Sequence, residues 1–97
     1  MIKSFKDRWL EEFYYLDIPS KKIPSEIQDR VFRKLQMLDD SGSEADLRSP
    51  PSNHFEKLVG WLTGKFSIRV NKKWRLIFHL SSGDEVSNIY LDKHEYR

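Results

Sequence analysis

The sequence predicts an α+β fold, a helical hairpin packed on one face of a small antiparallel sheet. Two periodicities predict it. In the first 40 residues, apolar side chains recur at helical spacing: Trp9, Leu10, Phe13 and Leu16, then Ile27, Val31, Leu35 and Leu38. Beyond Phe55 the period falls to two. Phe66, Ile68 and Val70 alternate with Ser67 and Arg69, and Trp74, Leu76, Phe78 and Leu80 alternate with Arg75, Ile77 and His79. At 97 residues, with 6 Phe, 4 Tyr and 3 Trp as bulky core material, the chain is expected to form one domain over 1–97.

Each element has its own signals. Ile2-Lys3-Ser4-Phe5 alternates and reads as a short first strand. A helix follows over 6–16, ended by Pro19 and Ser20. Ser25 precedes the second helix, Pro24 suits its first turn, and Asp39 to Gly42 closes it. Ser43 can cap one further turn. Arg48 to Asn53 reads as a loop, because Pro51 blocks regular hydrogen bonding there. Asn71-Lys72-Lys73 fits a three-residue hairpin loop, and Ser81 to Asp84 a second turn. Glu85 to Leu91 then forms the last strand. Trp61, between Gly60 and Gly64, belongs to neither period.

Composition excludes several functions. With no cysteine, disulfide scaffolds, Cys-type zinc sites and Cys nucleophiles drop out. No apolar run is long enough for a membrane span, and the N-terminus lacks an apolar signal segment, so the cytoplasm is the expected compartment and no membrane partner is expected. His54, His79 and His94 lack metal-ligand spacing, and no phosphate-binding loop or nucleophile elbow occurs, so no metal or cofactor is expected. No helix-turn-helix with a basic recognition helix is present, which argues against DNA reading by this chain alone.

Charge is distributed unevenly. The chain totals +2, but residues 54–80 carry Lys57, Lys65, Arg69, Lys72, Lys73 and Arg75 against Glu56 alone, a net +5. That concentration points to a local anionic partner. The hairpin sharpens the point. A three-residue loop pairs Val70 with Trp74 toward the helices and sets Arg69 opposite Arg75 on the other face. Like charges facing across a ladder are unfavourable unless an anion or an acidic residue such as Asp92 lies between them. Arginine is also well shaped to clamp a phosphate. By parity His79 shares that face, and a four-residue second turn adds Asn88, Tyr90 and Asp92, with His94 and Tyr96 just beyond. A basic sheet face with aromatics suits single-stranded RNA.

Three segments carry a family resemblance: the opening Met1-Ile2-Lys3-Ser4-Phe5, the stretch Leu47-Arg48-Ser49-Pro50-Pro51-Ser52-Asn53 with Phe55 to Gly60, and above all Phe66 to Phe78. On these the chain resembles the HigB-type toxins of bacterial toxin–antitoxin pairs, within the RelE-like superfamily. The resemblance implies a RelE-like fold and a cytoplasmic endoribonuclease that cuts messenger RNA on the translating ribosome. It also implies a HigA-like helix-turn-helix antitoxin, with the DNA operator bound only through that antitoxin.

Residue by residue, Arg75 matches the family arginine at the scissile phosphate, and Asp92 and His94 match the ends of a common Asp-Tyr-His motif. Lys93 departs from that motif, and Tyr96 is the candidate replacement phenol. Leu58-Val59-Gly60 stands where relatives often have Leu-Lys-Gly, with Lys57 or Lys65 as substitutes for the lost cation. His54 lies near a histidine found in some members, outside the ungapped register. The implied reaction is transesterification, in which the substrate's own 2′-hydroxyl attacks the neighbouring phosphate. The catalytic candidates are Arg75, Asp92, His94 and Tyr96. The RNA-binding candidates are Lys57, Lys65, Arg69, Lys72, Lys73 and His79. Two other readings of the same residues are a toxin-like module that binds antitoxin or RNA without cutting, and an RNA-binding domain with no antitoxin.

Overall fold

The computed structural model describes residues 1–81 and 85–93. Three helices, α1 (Arg8–Leu16), α2 (Gln28–Asp40) and α3 (Glu44–Arg48), precede an antiparallel sheet in the order β1 (Glu56–Lys57), β2 (Phe66–Arg69), β3 (Trp74–Leu80) and β4 (Val86–Lys93). This is the α+β class that the two periodicities predict.

The helical stripes become the core. Leu10, Val31, Leu35, Leu38 and Leu47 are fully buried against Ile68, Leu76, Phe78, Val86 and Ile89. Helix α1 ends where Asp17 turns left-handed (φ 56°), two residues ahead of Pro19. Leu16, expected on the buried stripe, is 64% exposed at that end. A 3-10 turn, Ser25–Ile27, leads into α2. The Ser43 hydroxyl accepts from the Asp46 N–H and caps α3 as predicted.

Two expectations are corrected. Ile2 to Phe5 is not a regular strand. It runs parallel to β4 and touches it at two isolated bridges, Ile2 with Val86 and Phe5 with Ile89. The interruption has a cause in β4: from Ile77 to His79 on β3 the partner moves from Tyr90 to Ser87, so β4 carries one extra residue. Asn88 takes the left-handed conformation there (φ 53°), which asparagine tolerates, and its N–H donates to the Ser4 hydroxyl at 3.0 Å. Ser87 therefore pairs with His79 and shares its face, where strict alternation from a four-residue second turn puts Asn88. The fourth strand of the sheet is the two-residue β1. The second turn, Ser81 to Asp84, lies mostly outside the described residues, though Ser81 N–H donates to Glu85 C=O at 3.0 Å.

The face of the sheet away from the helices is less open than alternation suggests. Ser67 and Ile77, paired with each other, are 3% and 1% exposed. Lys65 explains this: it precedes β2 yet places its ammonium 3.4 Å from the Tyr90 hydroxyl on β4, so its side chain has to cross β3. Its alkyl stem supplies apolar cover.

One carboxylate ties the N-terminus and α1 to α2. Asp39 accepts from the Ile2 N–H and from the Tyr14 hydroxyl, both at 2.9 Å. Burial first, then this hydrogen bond to Asp39, raises the Tyr14 phenol well above its ordinary range. The raised value sets the sign: the neutral phenol contributes stability that is fully present below about pH 10 and is lost as pH rises toward the folded value. In urea unfolding, the stability difference between the wild type and Tyr14→Phe should be constant below about pH 9 and shrink above about pH 10. A difference that stays flat across that range would remove Tyr14 from the linkage.

Candidate functional site

The β2–β3 loop sets the geometry of the site. The Asn71 side-chain oxygen accepts from the N–H of Lys73 at 2.8 Å and of Trp74 at 2.9 Å, closing the loop on itself. The Val70 and Asn71 N–H groups both donate to the Trp74 carbonyl. With the turn held, the register follows: Arg69 pairs with Arg75, and Arg75 pairs with Asp92. Three charged residues thus form one row across β2, β3 and β4, of which the Arg69–Arg75 pair is the one the three-residue loop predicts.

Arg75 is held at one edge of its guanidinium. Its Nε donates to Asp92 Oδ2 at 3.3 Å, while its terminal nitrogens lie outside that bond. Its side chain is 18% exposed and that of Asp92 38%. Arg75, Arg69, Lys72, Asn71 and His54 line a small cleft of about 40 Å³, with Glu56 as its described acidic member. A guanidinium oriented by a carboxylate at the edge of a cleft can present its remaining donors to a phosphate.

His54 reaches this cleft from a different part of the chain. The Pro50-Pro51 segment forms a 3-10 turn, Pro51–Asn53, where an irregular loop is expected. Asn53 anchors it. Fully buried, it donates to the Leu47 carbonyl at 3.0 Å and to Met37 Sδ at 2.9 Å, and accepts from Lys34 Nζ at 2.6 Å. His54 follows in a left-handed conformation (φ 43°), exposed and facing the sheet row. It also lines a second cleft of about 690 Å³, which shares Arg69, Asn71 and Lys72 with the first and is bounded on its other side by α2.

The remaining candidates are spread more widely. Lys72 lines both clefts, whereas Lys73 is exposed in the same loop and lines neither. Lys57 pairs with Phe66 on the edge strand, in the row of the helix side, and lines neither cleft. Lys65 is committed to Tyr90, over whose ring both Lys6 (4.5 Å) and Lys65 (5.2 Å) also sit. His79 stands four residues along β3 from Arg75, roughly 13 Å at strand rise. His94 and Tyr96 lie outside the described residues.

Sequence reasoning missed His54 as a cleft residue, and it missed Arg30, Arg33 and Lys34 of α2. The last three were legible as one side of a helix, by their spacing, but not as a wall facing the hairpin.

Comparison with known proteins is consistent with this geometry. The sequence profile of a family described as the RelE-like toxin of the type II toxin-antitoxin system HigB matches residues 3–94. The chain is 52% identical over 96 residues to Toxin HigB-1 of Vibrio cholerae serotype O1, covering 99% of this chain and 100% of that protein. It is 31% identical over 94 residues to Endoribonuclease HigB of Proteus vulgaris, covering 97% and 100%. In fold it is similar to a chain in the heterotetrameric YoeB-YefM toxin-antitoxin complex of Staphylococcus aureus, with a TM-score of 0.59 at 19% identity over 99% of both chains.

The buried asparagine supplies a test. Asn53→Ala deprives Lys34 Nζ and the Leu47 carbonyl of partners and should cost about 1–3 kcal/mol in urea unfolding. A change within about 0.5 kcal/mol, the range of ordinary surface substitutions, would show that Asn53 does not anchor the turn.

Proposed function

The chain belongs to the HigB-like toxins of type II toxin–antitoxin systems. On that footing we propose that it is an endoribonuclease that cuts messenger RNA on the translating ribosome by metal-independent transesterification. In this reading it acts in the cytoplasm and is neutralised by a HigA-like antitoxin of the helix-turn-helix type. The name of the Proteus relative supports the activity. The observation that carries the reading is Arg75, oriented by Asp92 and facing a cleft that His54 also lines.

The chemistry asks three things of the chain. The 2′-hydroxyl must lie in line with the scissile P–O5′ bond, charge building on the phosphorane-like transition state must be neutralised, and protons must leave the 2′-oxygen and reach the 5′-oxygen. Arg75 meets the second demand with its terminal nitrogens, and Arg69, one strand away in the same row, adds a second guanidinium. Asp92 keeps Arg75 aimed. Imidazole titrates near neutral pH and suits the proton transfers. His54 is placed at the cleft by the fold, and His94 is carried over from the family motif with Tyr96 as an accessory phenol. The ribosome, by holding the message extended, supplies the positioning that a shallow cleft lacks.

Arg75→Ala should reduce cleavage in a translating extract by about 10²–10³-fold and relieve growth inhibition, while the protein remains folded by circular dichroism. Full toxicity from that variant would take Arg75 out of the mechanism. Mapping 5′ ends of reporter messages separates cleavage from binding alone, and purified protein assayed with and without ribosomes tests the ribosome requirement. For the histidines, His54→Ala and His94→Ala should each lower the rate by roughly 10²-fold or more and flatten one limb of the pH–rate profile. Unchanged profiles in both would exclude histidine acid–base catalysis.

A further inference from the structure

The larger cleft carries more positive charge than the chemistry at Arg75 requires. Arg30, Arg33 and Lys34 stand at i, i+3 and i+4 on α2, so they share one side of the helix. All three line the cleft, with Arg69 and Lys72 on the hairpin as its other cationic members. No described residue lining it carries a carboxylate. Elsewhere the chain pairs exposed arginines within a helix, Arg8 with Glu12 at 3.8 Å and Arg48 with Glu44 at 3.1 Å. Arg30, Arg33 and Lys34 make no ion pair among the described residues; Arg30 donates only to the Val70 carbonyl, at 3.5 Å. Burial, and then the nearby Arg30 and Arg33, lower the Lys34 ammonium below its usual range. Five cations from two elements are therefore gathered around a space with no counter-charge from the described residues that line it.

We propose that this second cleft binds the phosphodiester backbone of the single-stranded RNA flanking the cut, with Arg30 and Arg33 of α2 as phosphate-binding residues opposite Arg69 and Lys72. The inference rests on the endoribonuclease reading and deepens it: the substrate is a strand extending beyond the two nucleotides at the scissile bond. Continuity favours the substrate strand over an unrelated anion. His54, Arg69, Asn71 and Lys72 belong to both clefts, so a strand with one phosphate at Arg75 enters the second cleft directly. Binding through the backbone implies affinity with little dependence on base sequence and a strong dependence on salt.

The test uses a single-stranded 2′-O-methyl RNA, which lacks the attacking hydroxyl, and follows its affinity by fluorescence anisotropy as salt is varied. Arg30→Gln/Arg33→Gln keeps side-chain length and helix propensity. Its salt slope should be shallower by about 1.4, at ~0.7 for each phosphate that is no longer neutralised, with affinity roughly tenfold weaker. Arg8→Gln removes an 89% exposed arginine from α1 and should leave both unchanged. If the double variant loses stability in urea, Arg33→Gln alone should still lower the slope by about 0.7.

A double variant with the wild-type slope and affinity would overturn the inference, as would an equal loss from Arg8→Gln. Retained oligonucleotide affinity with weakened sedimentation on ribosomes would also overturn it and assign the cluster to ribosomal RNA. If the wild-type protein binds and cuts RNA while the double variant is unaltered, only this inference fails. If the wild-type protein shows no salt-dependent affinity for the oligonucleotide, this inference fails, and the endoribonuclease reading is decided separately, by whether reporter messages are cut in a translating extract.

Discussion

A single asparagine side chain in the β2–β3 loop underlies the site. Asn71 uses its amide oxygen to hold two backbone N–H groups, and that closure determines how β2 faces β3. A shift of one residue would send every side chain of β2 to the opposite face. Arg69 would then point into the core and Val70 away from it. The like-charged pair of Arg69 and Arg75 is thus a consequence of a turn that the core requires, with Ile68 and Val70 buried on one side and the guanidiniums delivered to the other. Asp92, one strand further on, supplies the opposite charge that makes the row tolerable.

The second anchor is buried rather than exposed. Asn53 links the short turn before β1 to α3 through the Leu47 carbonyl, and to α2 through Met37 and Lys34. Its neighbour His54 acquires its position from that anchorage. Lys34 is drawn inward by the same bond, which brings the cationic side of α2 toward the hairpin. One fully satisfied buried amide therefore joins the two clefts. This suits the general rule that a buried polar group persists when all its partners are present.

The sheet shows how a small chain covers an exposed face without another layer. Lys65 and Lys6 converge on Tyr90, and Ile77, the strand partner of Tyr90, is almost inaccessible. The N-terminal segment protects the outer edge of β4 at two bridges while the extra residue at Asn88 breaks up the remainder. Both devices limit unpaired strand edge, a hazard for association with other chains.

Local patterns were legible in the residues themselves. Helical and alternating periods placed α1, α2, β2 and β3, and the count of loop residues set Arg69 opposite Arg75, because side-chain parity along a strand is fixed at two. Those quantities depend only on neighbours within a few positions. His54, Asn53 and the cations of α2 were not legible as a site, since their meaning arises where segments distant in the chain meet. The extra residue at Asn88 was equally hidden: it shows only when β4 is laid against both β3 and the N-terminal segment. Tertiary structure decided these features because burial of the shared core, not any local preference, determines which faces of the helices and sheet confront each other.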